Sequence, residues 1–217
     1  MDWTAKRDWA LDEHERRLAT RAAEGEREDF RLAGIAGASW AAGLSARMLG
    51  EPAEASTLLR RAADEYETSW RAAPAGAWGR PIAMLRCRLI AGDRPGARRD
   101  AEAALAEGAA GATGPIGGYC AALALLVTGK YVEAGGFAGR IAEEGLEPVA
   151  VAHALAALAS SDEPAFQAAR REVLRSFEER DAFLEDVPVA DTVLVLDALA
   201  RIRGLEITPL ASTLLPD

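Results

Sequence analysis

The sequence predicts an all-α fold of about ten or eleven helices stacked as antiparallel hairpins, with no sheet, and three observations lead to it. Half of the residues are hydrophobic, but alanine dominates and aromatics make up only 6%. Ala-rich, Leu-rich, β-poor chains favour helix. Stretches with apolar residues three and four apart are punctuated by Pro at their starts and Gly at their ends. Finally, a small residue closes a helical stretch five times, and an alanine or a proline follows five residues later. The pairs are Gly50 and Ala55, Gly92 and Ala97, Gly129 and Ala134, Ser160 and Ala165, and Gly204 and Pro209. Tight helical turns need a residue tolerant of unusual backbone angles, and the returning helix needs a small side chain to pack closely.

In order along the chain, a first helix is expected from Trp3 to Ala23, capped by Asp2 or Thr4, with Trp3, Ala10, Leu11, His14, Leu18 and Ala22 on one face. A second runs from Glu26 to Leu49 with Phe30, Ala33, Gly37, Trp40, Leu44 and Met48 along its buried side. Gly34, Gly37 and Gly43 each cost this helix about 1 kcal/mol of propensity, which points to a close neighbour. Pro52 opens a third helix to Arg71, burying Leu58, Leu59, Ala62, Tyr66 and Trp70, and residues 73–77 are a loop. Pro81 opens the next, Pro95 its partner to Glu107.

Residues 108–118 hold five glycines and a proline in eleven positions, either a joint between two halves of one 1–217 domain or a tight wrap between repeats. Helices follow over 119–128, 132–143, 148–160 and from Pro164 to Arg180. Residues 188–203 contain Val-Leu-Val-Leu, a strand-like run, yet Pro188 before it, Gly204 after it and the length of the segment favour helix. Ile207 to Leu215 is expected to form a short last helix.

The spacing resembles that of the tetratricopeptide repeat (TPR) superfamily: a small residue, a turn glycine seven later, then alanines five and twelve beyond. Gly43, Gly50, Ala55 and Ala62 match all four places. Gly92, Ala97 and Ala104 match three, as do Ala122, Gly129 and Ala134, with Ile141 at the fourth. Trp40 is followed by Ala41-Ala42-Gly43 where the family has Trp-x-x-Leu-Gly, and the anchors lie 42, 37, 31 and 44 residues apart. The resemblance implies an irregular TPR-like α-solenoid with a groove lined by the first helix of each pair.

The net charge of −9 argues against a dedicated nucleic-acid binder. Residues 1–110 carry 17 basic and 18 acidic side chains, and residues 111–217 carry 8 and 16, so the charge concentrates toward the C-terminal half. Arg80, Arg86, Arg88, Arg94, Arg98 and Arg99 face only Asp93 and Asp100 along the sequence, which predicts a basic middle. The longest apolar stretch, Tyr119 to Val127, is too short for a bilayer, and the charged N-terminal stretch lacks a signal-peptide core. A cytoplasmic location with no membrane association is expected. Cys87 and Cys120 sit within apolar helical stretches and read as buried thiols.

Few residues suggest chemistry. His14 has no second metal ligand at helical spacing, and His153 stands at a packing position; both read as core histidines. No HExxH, CxxC, GxSxG or phosphate loop occurs. Glu178, Glu179, Asp181, Glu185, Asp186 and Asp191 form the densest acidic cluster, and the spacing matches no calcium loop. It reads as a solvated end or as a docking surface for a basic partner. Trp70, Trp78, Arg80, Met84, Arg86 and Arg88 form either a binding hot spot or a staple between two helices.

No cofactor, metal or catalytic constellation is expected. The function expected is therefore non-catalytic binding of a partner protein or peptide, through the groove, Trp70, Trp78, Arg80 and Arg86, or through the acidic end at Glu178, Glu179, Asp181, Glu185 and Asp186. Homo-oligomers remain compatible with this. A compact acidic helical chain of this size is also similar to some bacterial immunity families, which implies an inhibitor of a basic toxin as an alternative. A third reading is an anion or small-ligand pocket around residues 80–99.

Overall fold

The computed structural model describes residues 1–21, 25, 27–146 and 148–216. Ten α-helices account for most of them: α1 (Trp3–Ala19), α2 (Glu28–Met48), α3 (Pro52–Ala72), α4 (Gly79–Ile90), α5 (Arg94–Ala106), α6 (Pro115–Val127), α7 (Tyr131–Glu143), α8 (Val149–Ser160), α9 (Glu163–Glu178) and α10 (Asp191–Arg203). Single 3₁₀ turns occur at Ala109–Gly111 and Leu184–Asp186, and no strand occurs among the described residues. Residues 191–203, with their Val-Leu-Val-Leu run, are helical. Asp2 caps α1 by accepting from the Ala5 N–H.

The turns explain the five-residue offset. Glu51, Asp93, Lys130, Asp162 and Leu205 each donate a backbone N–H to the carbonyl five residues earlier, which closes the preceding helix in a Schellman turn. That turn requires a left-handed residue, and Gly50, Gly92, Gly129 and Gly204 supply positive φ. In the fourth turn the left-handed residue is Ser161, with φ 57°, and not Ser160. The register therefore shifts by one: Phe166 is the fully buried residue, and Ala165 is exposed. At the first three turns Ala55, Ala97 and Ala134 are buried in the first turn of the returning helix, as the offset predicts. Pro209 is exposed, because no helix follows Gly204.

Two other expectations change. Residues 207–215 form an irregular tail that ends in a turn at 212–215, not a helix. Its backbone is held from outside: Gln167 donates to the Glu206 carbonyl at 2.8 Å, Arg170 to the Thr208 carbonyl at 2.7 Å, and the Ala190 N–H to the Leu214 carbonyl at 2.9 Å. These bonds satisfy the tail's backbone groups in place of a helical ladder. The first helix ends at Ala19, and its predicted extension to Ala22 and Ala23 lies outside the described residues. Leu18 and Phe30, expected on buried faces, are exposed at that end.

The close approach signalled by the α2 glycines is present. A Cβ on Gly43 would lie 2.7 Å from the Leu59 Cγ of α3, and one on Gly37 would lie 2.7 Å from the Glu185 carboxylate. Consecutive helices pack in chain order from α1 to α9. Helix α6 also touches α4 and α8, and α10 returns to lie against all three. The face shared by these first helices, expected as an open groove, is thus covered by the chain's own α10.

The buried side chains form two clusters. One extends from Ile82 through α5, α6 and α8 to α10, and includes Ala104, Ala109 and Cys120, so apolar packing continues across the glycine-rich stretch 108–118. The other joins α1, α2 and α3 to Met84, Cys87, Val187 and Val189. Trp70, Ile90 and Leu194 pack against both and mark the seam.

Candidate functional site

A cleft of about 1370 Å³ opens at this seam. Met48 of α2, Leu89 and Ile90 of α4, Leu194 and Ala198 of α10, and Leu210 and Leu214 of the tail give it apolar walls. Sites at the junction of two packed units, apolar with a few polar groups, are the usual form of a binding cleft. The tail wall is fixed by Gln167, Arg170 and Ala190. A narrower pocket of about 270 Å³ adjoins the cleft and shares Arg47, Leu89, Ile90, Ala198 and Arg201 with it. Arg94 and the first turn of α3 complete that pocket.

Charge distinguishes this site from the rest of the molecule. Five arginines line the two spaces (Arg47, Arg88, Arg94, Arg170 and Arg201), and Asp197 is the one carboxylate among the described lining residues. Arg88 is buried and bound to Asp64, to Asp93 at 3.2 Å and to Asp100 at 3.1 Å. Arg170 is buried against Asp197, with an Nη2–Oδ2 distance of 2.8 Å. Those two are spent on structure. No described carboxylate lies within 4 Å of Arg47, Arg94 or Arg201. The Nε of Arg47 is buried without an acceptor. An unpaired buried donor costs free energy that an acceptor would return.

The residues singled out from sequence scatter. Trp70 and Trp78 are half-buried against the core, and Trp78 lies beside Gly117 at the start of α6. Arg80 donates to Ser69 Oγ at 2.8 Å and lies 3.5 Å from Asp29. Arg86 is ion-paired with buried Asp191, 105 residues away. Burial works against the Arg86 charge, and Asp191, Tyr119 and Cys87 together more than offset it. The basic middle expected from sequence is thus largely neutralised, by distant partners for Arg80 and Arg86 and by Asp93, Asp100 and Glu102 within the same stretch for Arg88, Arg98 and Arg99.

The acidic cluster is smaller than its sequence suggests. Asp191 is buried, and Glu185, half-buried, is held by Arg17 at 2.9 and 3.0 Å. Glu178, Glu179, Asp181 and Asp186 remain exposed. His14 is buried, its Nε2 2.7 Å from Glu65, as a core histidine should be. His153, expected in the core, is exposed, because it falls on the outer side of α8 opposite Ala152, Leu155 and Ala154. Cys87 and Cys120 are buried free thiols, and burial pushes both up to about 12. Among the described residues no group of three His, Cys, Asp or Glu could hold a metal ion. None of their helices is long and apolar enough to cross a membrane.

Sequence reasoning missed most of the cleft. Of the 80–99 segment only Arg88, Leu89, Ile90, Ala91, Gly92 and Arg94 reach the narrow pocket, and Arg47, Ala198 and Arg201 arrive from helices far away in the chain. The one available signal was a pair of arginines, Arg201 and Arg203, closing an apolar helix. Comparison with protein-family models, with curated proteins and with solved structures finds no match to this chain.

Proposed function

We propose that this protein is a non-catalytic binding module that docks a segment of a partner protein in the cleft between α2, α4, α10 and the C-terminal tail. One observation carries the reading: a cleft of about 1370 Å³ with apolar residues from α2, α4, α10 and the tail, edged by arginines that have no described carboxylate. Its size exceeds the usual range of about 300–1,000 Å³ for a small-molecule pocket, and its lining, drawn from Met1, α2, α4, α10 and the tail, suits a length of chain. The face of α4, α6 and α8, the binding groove in an open helical-repeat array, is covered by α10 and plays no part.

Replacing Ala198 with Trp tests this reading, since Ala198 lines both the trough and the narrow pocket. A photo-crosslinker at Leu210 of the wild-type protein should capture a protein from the source cells. The Ala198→Trp variant, with an unchanged helical spectrum and melting curve, should lose that crosslink. A partner retained equally by Ala198→Trp places docking elsewhere and overturns the reading.

The exposed carboxylates of Glu178, Glu179, Asp181 and Asp186 support a second reading, a docking surface for a basic partner such as a toxin. Reversing those four charges should slow association with such a partner at low salt. An unchanged rate removes that end of the molecule from consideration.

A further inference from the structure

Arg47, Arg94 and Arg201 belong to three different helices, and all three line the same 270 Å³ pocket. Arg88, the fourth arginine of the pocket, is taken by Asp64, Asp93 and Asp100, so in a chain of net charge −9 the guanidinium groups of Arg47, Arg94 and Arg201 are the ones left with no described carboxylate within 4 Å to supply a local positive field. Such fields are strengthened inside clefts with low-dielectric walls. The Nε of Arg47 is buried and lacks an acceptor, so at least one donor is already removed from water. Helix α3 also starts in this pocket. Its cap residue, Glu51, accepts from Arg7 at 2.7 Å and makes no side-chain bond to the free N–H groups of the helix. A helix N-terminus adds a further partial positive charge, which the cap Glu51 and the first-turn Glu54, both held by Arg7, offset in part. The pocket is smaller than a typical small-molecule site, and it adjoins the larger cleft, sharing Leu89, Ile90 and Ala198 with it.

Resting on the docking reading above, we propose that the occupant of the cleft is an acidic–apolar peptide segment of the partner. Its carboxylate side chain enters the narrow pocket against Arg47, Arg94 and Arg201, and its apolar residues lie along Leu194 and Leu210. Arginine is suited to this role because its planar guanidinium matches a carboxylate in a paired geometry.

The test uses the full chain and defined probes. A capped hexapeptide of two leucines, two glutamates and two leucines is compared by calorimetry with its glutamine and lysine counterparts, and with sodium citrate and inorganic phosphate. The protein forms are the wild type, the Arg47→Gln/Arg94→Gln/Arg201→Gln triple variant and Ala198→Trp. The glutamate peptide should bind the wild type best. The triple variant should lose about tenfold or more, as expected for charge-assisted bonds. The loss should shrink in high salt, and Ala198→Trp should abolish binding. Arginine side-chain N–H resonances shifted by the glutamate peptide should be those missing from the triple variant.

Equal binding of the glutamate and glutamine peptides, lost in Ala198→Trp, would keep the docking cleft and overturn the acidic occupant. Citrate or phosphate binding as tightly as the peptide at the same arginines would overturn the peptide and leave a free-anion site. Failure of the glutamate peptide to bind the wild type, or equal binding to the wild type and both variants, overturns the proposal outright. The crosslinking experiment then decides the docking reading separately.

Discussion

Helices α4 and α10 border two regions that differ in kind. Where α10 lies across α4, α6 and α8, the space is filled. Leu85, Leu123, Leu155, Val193 and Leu196 belong to one buried cluster there, and the Arg86 charge in the α4–α10 contact is compensated by Asp191. Where the same two helices meet α2 and the tail, the space is open, and Arg47, Arg94 and Arg201 have no carboxylate. The comparison separates two uses of one residue type. An arginine with a buried carboxylate specifies how helices fit together, and an arginine at a cleft without one is available to a ligand. Neither use can be read from the arginine alone.

The largest expected effect tests the compensated side. Asp191→Ala would leave the Arg86 guanidinium in the α4–α10 contact without its carboxylate. Removing one member of a buried pair costs about 3–5 kcal/mol, because the remaining charge is uncompensated. Urea denaturation should show this loss, and an Arg86→Met/Asp191→Leu double variant should recover most of it. The Arg47→Gln/Arg94→Gln/Arg201→Gln variant should stay within about 0.5 kcal/mol per position of the wild type, as surface substitutions do. A triple variant as unstable as Asp191→Ala would break the distinction, since those arginines would then be structural.

The next effect concerns how tightly the hairpins close. Ala55→Leu and Ala97→Leu should each destabilise by about 1–3 kcal/mol, since both methyls are buried against a neighbouring helix and extra methylenes have no room. Ala165→Leu should change little, because Ala165 is exposed and its place in the register is taken by Phe166. If all three melt alike, the turn residues do not set the packing register.

These positions also show what the sequence made legible. Helix identity and the turn glycines were readable because Schellman turns and first-turn prolines are local, each decided within about six residues. The serine turn misled by one position because Ser160 and Ser161 are chemically the same, and only the backbone distinguishes which adopts φ 57°. The missing last helix was a tertiary outcome, decided by Gln167 and Arg170 taking the tail's carbonyls. The cleft was least legible of all. Its arginines stand at 47, 94 and 201, and their common property, the lack of a carboxylate, depends on where every other charge in the fold comes to rest.

The smallest effect probes the filled side through its thiols. Burial pushes Cys87, in α4 beside Arg86, from an ordinary value of 9.0 to about 12; Arg86 draws it back and Asp191 pushes it further up. The folded protein thus keeps a proton that the unfolded chain releases above pH 9. The associated stability is complete below that value and declines as the pH rises toward 12. Cys120 and Tyr119, also raised to about 12 by burial, act in the same direction. Stability measured in urea at pH 8 and pH 10 should therefore fall at the higher pH, and Cys87→Ala should reduce the fall without removing it. The same burial should keep both thiols silent toward an aromatic disulfide reagent at pH 8 until urea unfolds the chain. Rapid labelling of Cys87 in the native protein would mean that the α4–α10 contact opens readily. The filled region would then resemble the cleft beside it, and α10 would be a cover over the face of α4, α6 and α8 instead of part of the core.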